Sequence, residues 1–166
     1  MNSAISGFAS FDAKVSNNPN NPNKPFKFLS LNRVVSRLGV ISTDNRPAGA
    51  TKLRMTFTKG GRDFSPSSGL ATSNTGFANT ITFVESVGSA TSSASFLFLG
   101  SDELEQDVTL EVLDDSDNVL KSVTVEDVPF KRNKTSVLRG SLFTASSSET
   151  FLIESAWLTS EDPIGF

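Results

Sequence analysis

The sequence contains no histidine and no cysteine among its 166 residues. It therefore lacks the usual general base, the thiolate nucleophile and the commonest side-chain ligands of transition metals. Disulfides are excluded as well, although this does not identify a compartment, because bacterial surface proteins often do without them. These absences exclude most familiar hydrolase mechanisms, and only the carboxylate groups remain as candidate catalytic groups.

Long apolar runs are also missing. No stretch approaches the roughly 18 consecutive apolar residues that a membrane-spanning helix needs. The first residues, MNSAISGFASFD, lack the basic start and apolar run of a signal peptide, so we expect any export signal to lie outside this sequence. Tyrosine is absent and tryptophan occurs once. Aromatic platforms for sugars are therefore scarce.

The composition is that of a folded protein with a phenylalanine-rich core. Phenylalanine occurs 14 times, 37% of the residues are apolar and 20% are charged. A chain of this length buries one sizeable core without disulfides. We predict a single β-sandwich domain over residues 1–166, with its core in residues 26–158 and an Asn/Pro-rich irregular loop at residues 16–25.

Polar and apolar residues alternate along most of the chain, which predicts β-strands and an all-β fold. In residues 51–58 the alternation places Leu53, Met55 and Phe57 on one face. About nine strands at regular spacing, with turn signals between them, are typical of a sandwich. The predicted strands are residues 5–15, 26–41, 51–58, 80–86, 93–99, 108–113, 118–128, 135–143 and 150–157.

The connections carry their own signals. Residues 114–117 (DDSD) predict a tight hairpin turn, residues 59–62 a glycine turn with positive φ, and residues 146–148 a serine-rich turn. Residues 64–79 are rich in Ser, Gly, Thr and Asn and predict a long excursion between strands. Residues 102–106, after Ser101, allow a short helix. Residues 96–99 (FLFL) suit a strand buried on both faces.

Charge is distributed unevenly along the chain. Residues 1–62 carry ten Lys or Arg against two acids, whereas residues 102–127 carry ten acids and one Lys. One interpretation is a polar molecule that joins copies or partners end to end. The interpretation we favour is that the two segments form neighbouring strands whose charges pair across a sheet.

Candidate chemical sites are few. A glycosidase-type carboxylate pair would have to come from Glu103, Glu105, Glu111, Glu126 or Asp127. The cluster Asp114, Asp115, Asp117 and Asn118 has oxygen ligands suited to calcium but lacks the EF-hand spacing, so a solvated turn is favoured. No phosphate-binding glycine motif is present, and the acidic pI argues against nucleic acid at the basic residues near Phe130. We predict no catalytic, cofactor or metal site, and no enzyme.

Residues 128–144, VPFKRNKTSVLRGSLFT, form a Pro-containing strand, a basic bend and a second strand. The segment resembles the signature that closes fimbrillin-like domains of Bacteroidales, VP-x-x-RN-x-x-T-x-x-x-G-x-x-x-T after a D-x-D-x-N-V hairpin. A second segment, residues 29–40, resembles the early L-x-R-x-V-A-R/K-L strand of these domains, with Ser36 in place of Ala. The residues assigned to the signature are Val128, Pro129, Arg132, Asn133, Thr135, Gly140 and Thr144; Thr135 stands one position before the Thr of the pattern, where this chain has Ser136.

The resemblance implies an antiparallel Greek-key, transthyretin-like sandwich of seven to nine strands, used as a structural, anchor, tip or accessory subunit of surface fimbriae. Its partners would be other subunits or surface proteins of host or bacterium, at the cell surface or outer membrane, with a lipid anchor outside this sequence. The chain would then be a mature fragment or one domain of a longer exported protein. Polymerising members lose a strand after cleavage at an Arg; neither Arg33 nor Arg37 is assigned that role.

Structural roles suffice for the signature residues. We expect Arg132 and Asn133 to satisfy backbone groups at a corner between strands, Pro129 to end the ladder and Gly140 to allow a close approach. The alternative function is a carbohydrate-binding adhesive module with its site in residues 16–25 and 65–79, where Phe77 is the only aromatic residue. An enzyme is the third hypothesis.

Overall fold

The computed structural model describes residues 8–16, 26–144 and 151–156. This part of the chain contains ten β-strands and no helix. Consequently, it contains no helix long and apolar enough to cross a membrane. The strands are β1 (Phe8–Ser16), β2 (Phe26–Arg33), β3 (Val35–Ser42), β4 (Lys52–Phe57), β5 (Phe77–Thr82), β6 (Ser92–Phe98), β7 (Glu103–Leu113), β8 (Val119–Lys131), β9 (Thr135–Gly140) and β10 (Leu152–Ala156).

Eight of these strands form two four-stranded sheets, and β1 pairs with β2 alone. Sheet I has the order β10-β9-β3-β6 and sheet II the order β5-β4-β7-β8. All neighbours are antiparallel except β3 and β9, which run parallel in the middle of sheet I. The all-β sandwich with seven to nine strands predicted from the sequence is confirmed.

The inner faces of the two sheets share one apolar core. Alternate residues of each strand point inward, as period-two side-chain geometry requires. Phe130 of β8 meets Phe57 of β4 edge-on, with ring centroids 6.1 Å apart. The predicted inward set of β4 is confirmed as buried. The core comprises Leu38, Val40, Leu97 and Leu138 from sheet I, with Leu53, Met55, Phe57, Val108, Leu110, Val112, Val123, Val125, Val128 and Phe130 from sheet II.

The oppositely charged segments of the sequence meet in sheet II. Strand β4 comes from the basic segment and pairs with β7 from the acidic one. Arg54 lies directly opposite Glu111, with Nε 2.7 Å from the carboxylate, and Lys52 Nζ lies 2.8 Å from Asp117. The expectation that these charges pair across neighbouring strands is confirmed for Arg54 and Glu111, whereas Asp117, the partner of Lys52, lies in the turn between β7 and β8. Solvent screens ion pairs of this kind, so each contributes little to stability.

The short helix that residues 102–106 allow does not form, because Glu103 already belongs to β7. Burial alternates along β7 with period two, and Gln106 points into the core. Ser101 does not cap a helix; its hydroxyl donates to the Glu103 carbonyl at 2.6 Å. The acids of residues 102–106 fit a strand with one solvent-exposed face as well as they fit the first turn of a helix. Pairing with β8 decides between the two structures.

Other boundaries differ from the predictions by a few residues. The stretch 26–41 is two strands interrupted at Val34, and the excursion ends at Gly76, so that β5 begins three residues before the predicted strand. Only Gly60 of the glycine turn has a positive φ, 82°. Phe96 is 58% exposed, so the FLFL strand is not buried on both faces. Ser16 of the predicted loop at 16–25 belongs to β1, and the rest of that loop, the turn at 146–148 and the single tryptophan, Trp157, lie outside the described residues.

The buried residues of β7 should contribute strongly to the free energy of unfolding. Leu110 is 1% exposed in the middle of the core, and Leu110→Ala should lower the free energy of unfolding by about 2–5 kcal/mol through lost burial and a cavity. Leu120→Ala removes the same atoms from a side chain that is 51% exposed and should cost far less. Chemical denaturation of both variants checks this, and equal losses would contradict the assigned core.

Candidate functional site

Five of the seven signature residues lie along one crossover between the sheets. Val128 and Pro129 are in β8, Arg132 and Asn133 lie in the connection, and Thr135 opens β9. Strand β8 belongs to sheet II and β9 to sheet I. The signature therefore marks the corner at which the chain passes from one sheet to the other.

Arg132 and Asn133 fix this corner by different means. Arg132 Nη1 donates to the Ser68 carbonyl at 3.2 Å, and its Nε lies 3.3 Å from the Asp102 carboxylate. Asn133 has φ 58°, a left-handed conformation in which Asn is enriched. Its backbone N–H donates to the Val35 carbonyl at 2.9 Å. Arg132 thus connects the β4–β5 loop to the corner. Asn133 forms the turn before β9 and connects it to β3.

The expectation that Pro129 ends the ladder is wrong. Pro129 lies opposite Glu105, and pairing continues for two more residues, to Lys131 opposite Glu103. Strand β8 is the outer strand of sheet II, and proline is accommodated on an edge strand when its nitrogen faces outward. Its carbonyl accepts a hydrogen bond from the Ser136 hydroxyl of β9. Pro129 therefore protects an edge and joins it to the other sheet.

Gly140, at the end of β9, makes the close approach expected from the sequence. A Cβ atom at this position would lie 2.9 Å from Cδ1 and 3.0 Å from Cγ of the Phe151 ring. Phe151 is buried and immediately precedes β10. The missing side chain at Gly140 thus makes the space in which this ring packs.

Asp44 is a central polar residue of the structure that the sequence analysis missed. Its carboxylate accepts the backbone N–H groups of Leu142, Phe143 and Thr144 at 2.7–2.8 Å and the Thr144 hydroxyl at 3.0 Å. The last signature residue, Thr144, therefore donates two hydrogen bonds to this carboxylate. The only signal in the sequence was an isolated acid within a basic segment.

Opposing effects act on the pKa of Asp44. Partial burial raises the pKa, and the hydrogen bonds from the three amides and the Thr144 hydroxyl lower it by more, so that it lies below its ordinary value. Because the folded pKa is depressed, the stabilising contribution is present above the ordinary value of 3.8 and is lost as the pH falls through the folded pKa. The carboxylate therefore clamps β3 to the β9–β10 connection at neutral pH.

Asp44→Asn should lower the free energy of unfolding at pH 7 by about 1–3 kcal/mol, since an amide group replaces one acceptor oxygen. The deficit relative to the wild type should shrink as the pH falls below the ordinary Asp value. Urea titrations at pH 7 and at acidic pH check this. Asp63→Asn, at an exposed acid, is the control, and a deficit independent of pH would contradict the role of the charge.

Gly140→Ala should lower the free energy of unfolding by about 1–3 kcal/mol, because the new methyl group overlaps the Phe151 ring. The same substitution in a Phe151→Leu background should cost less, since the ring is gone. Thermal unfolding of the two single variants and the double variant measures this coupling. Additive losses would show that the ring is not the obstacle.

The candidate acids lie on β7 and β8 of sheet II. Glu111 is engaged by Arg54, and Glu103 lies 3.2 Å from Lys131. The remaining candidates, Glu105, Glu126 and Asp127, are exposed. Within the described ranges, no group of three or more acids is placed to hold a metal ion.

The acidic hairpin turn between β7 and β8 uses its oxygens internally. The Asp114 carboxylate accepts the N–H groups of Ser116 and Asn118 and the Asn118 side-chain amide, each at 2.9 Å. The hydrogen bonds from Asn118 are the leading cause of a lowered pKa at Asp114. Asp117 adopts φ 64° and binds Lys52. The predicted tight turn is confirmed, and this geometry is that of a self-capped turn.

Two of the four outer strands carry features that discourage pairing with another chain. Strand β8 contains Pro129, four charged residues and register shifts in its pairing with β7. Strand β5 is covered in part by Arg62, which donates to the Ala78 carbonyl and lies 5.1 Å above the centre of the Phe77 ring. These devices blunt both edges of sheet II.

Strand β6 differs from these edges, because its sequence, SSASFLF, contains no charge and no proline. At one end, Phe98 exchanges two 3.0 Å backbone hydrogen bonds with Gly61, on the side away from β3. Alternation then directs the N–H and C=O groups of Ser92, Ala94 and Phe96 to that same outer side. At the other end, the Ser92 N–H donates to Glu85 Oε1 at 2.7 Å.

Between these two ends the backbone of β6 is open. In the described part of the chain, no group accepts from the N–H of Ala94 or Phe96 or donates to the C=O of Ser92, Ala94 or Phe96. Phe96 exposes its ring beside this row. We name residues 92–96 the open edge. The sequence offered only one signal for it, an uncharged strand.

Comparisons with known proteins add a family and one weak structural likeness. A family model described as a family of unknown function, DUF6562, matches residues 8–161. No curated protein sequence matches the chain. The crystal structure of a candidate cell adhesion protein from Bacteroides ovatus is similar with a TM-score of 0.47 and 10% identity, over 77% of this chain and 45% of that one. The chain thus spans less than half of that protein, and a likeness this weak carries no functional information.

Proposed function

Since the chain belongs to DUF6562, a family of unknown function, we propose a role from its own residues: a non-enzymatic structural or accessory subunit of bacterial surface fimbriae that assembles by β-strand addition and supports cell adhesion. The observation that carries this proposal is the open edge of β6. Its neighbours in assembly would be other fimbrial subunits or surface proteins of host or bacterium.

Strand addition needs a row of unpaired backbone groups that another strand can reach. The open edge offers the N–H groups of Ala94 and Phe96 and three outward carbonyls, with no charge or proline to repel a partner. In this mode of recognition, main-chain hydrogen bonds provide affinity and alternate side chains provide specificity. Native proteins usually protect such an edge from pairing with other chains, so an unprotected edge favours a role in binding another strand.

The fimbrial part of the proposal depends on the resemblance of residues 128–144 to the signature of fimbrillin-like domains. Its residues form two defined features, the corner between the sheets and the hydrogen bonds from Thr144 to Asp44. The placement we propose, at the cell surface or outer membrane through an anchor outside this sequence, follows from the same resemblance. Anchor, shaft and tip positions all suit a rigid sandwich with an open edge at β6.

A non-enzymatic role is consistent with the chemistry of the side chains. The chain has no His or Cys, and two of the candidate acids are engaged in ion pairs. The glycan-binding alternative draws no support from Phe77, because this ring packs against Phe57, with centroids 4.9 Å apart and the planes tilted by 30°, and lies beneath Arg62. It is therefore not an open platform for a sugar.

The proposal predicts that an added strand binds and stabilises the domain. Synthetic peptides of residues 5–15 and 150–157 are mixed with the purified protein, and one of them should bind and raise Tm, because binding to the folded state stabilises it. Calorimetric titration and thermal unfolding measure the two effects.

The control uses the open edge itself. Ala94→Pro removes an outward N–H without breaking a bond to β3 and should abolish peptide binding, whereas Ala94→Ser keeps the N–H and should bind as the wild type does. If neither peptide nor any purified fimbrial subunit binds the wild type at a protein concentration at which the chain is monomeric, or if Ala94→Pro binds undiminished, strand addition at β6 is wrong.

A further inference from the structure

We infer that the strand which pairs with the open edge is β6 of a second copy of this chain, antiparallel, about a two-fold axis at Ala94. The inference rests on the proposed function, because it names the partner of the same edge. It makes the isolated subunit a symmetric dimer in which the two copies of sheet I become one continuous sheet.

The backbone groups of the open edge are self-complementary. With the axis at Ala94, its N–H and C=O groups bond to the C=O and N–H groups of the same residue in the second copy. The Phe96 N–H of each copy then meets the Ser92 carbonyl of the other, which gives four hydrogen bonds in all. Only the Phe96 carbonyl is left over, because its counterpart, the Ser92 N–H, already donates to Glu85.

The side chains fit the same register. Directly opposed residues are neighbours on one face of an antiparallel pair. Ala94 meets Ala94 of the second copy, small against small, and each exposed Phe96 ring lies over a Ser92, large against small. No like charges are opposed, since β6 carries no charge. The ring of Phe96, 58% exposed in one copy, gains cover in the pair.

The length of the open edge favours this partner over a long donor strand. Gly61 occupies the backbone of Phe98 at one end, and Glu85 occupies Ser92 at the other. A longer strand would meet both of these groups, whereas the four hydrogen bonds of the two-fold pair use only backbone groups that neither Gly61 nor Glu85 binds.

The test uses single-cysteine variants, because the natural sequence has no cysteine. Ala94→Cys places two thiols directly opposite each other across the axis, at a Cα separation of about 5.5 Å. Ser92→Cys places them roughly 13 Å apart, four residues along the strand. A short bifunctional thiol reagent should convert Ala94→Cys into a species of twice 17.7 kDa, while Ser92→Cys stays monomeric although Ser92 is more exposed.

A second pair of variants tests the contact without a crosslink. Ala94→Lys opposes like charges across the axis and should shift the molar mass in analytical ultracentrifugation from dimer to monomer. Ala78→Lys, on the outer strand of sheet II, should leave the dimer unchanged. Equal crosslinking of the two cysteine variants, or a dimer that survives Ala94→Lys, would overturn the inference.

Failure here is distinguishable from failure of the proposed function. If the wild type is monomeric and Ala94→Cys does not crosslink, but a peptide or fimbrial subunit still binds in a manner sensitive to Ala94→Pro, the self-pairing is wrong and strand addition stands. If that binding is absent as well, both are wrong.

Discussion

The parallel pairing of β3 with β9 in the middle of sheet I is the constraint on which the rest of the structure depends. Parallel neighbours cannot be joined by a hairpin, and β9 reaches β3 by a crossover from β8 of the other sheet. The corner at Arg132 and Asn133 delivers it, with bonds from Asn133 to Val35 and from Arg37 to Lys134 at one end of the pair. Thr43 bonds to Gly140, and Asp44 binds the chain beyond it, at the other end. Both ends of the parallel pair are thus fastened by residues outside the ladder itself.

The two sheets differ in the charges on their outer faces and in the protection of their edges. The outer face of sheet II carries the paired charges of β4, β7 and β8, and its edges are blunted by Pro129 and Arg62. Sheet I has few charges on its outer face, among them Arg139 paired with Glu154 at 3.3 Å. Its edge strand β6 is uncharged. A molecule built in this way resists pairing along one sheet while leaving an edge of the other available.

The sequence was sufficient for features that depend on local pattern. The inward row of β4 and the turn at Asp114 follow from alternation and from side chains that bond to nearby backbone, which act within a few residues. Prediction failed where distant pairing decides the outcome. Residues 102–106 became strand because β8 lies beside them, and Pro129 stayed within its ladder because β8 is an outer strand. The role of Asp44 required knowing that residues 142–144, almost a hundred positions away, return to it.

Glu85 and Gly61 give the edge of β6 a finite extent, since each occupies one end of it with a group of the same chain. Recognition through main-chain groups tolerates many side chains, and such a surface would ordinarily select its partners poorly. If another strand adds here as proposed, the two occupied ends limit the number of residues that it can pair, so the length of its extended segment contributes to selection. Selection by length would hold when side chains of either strand change, as long as Glu85 and Gly61 keep their positions.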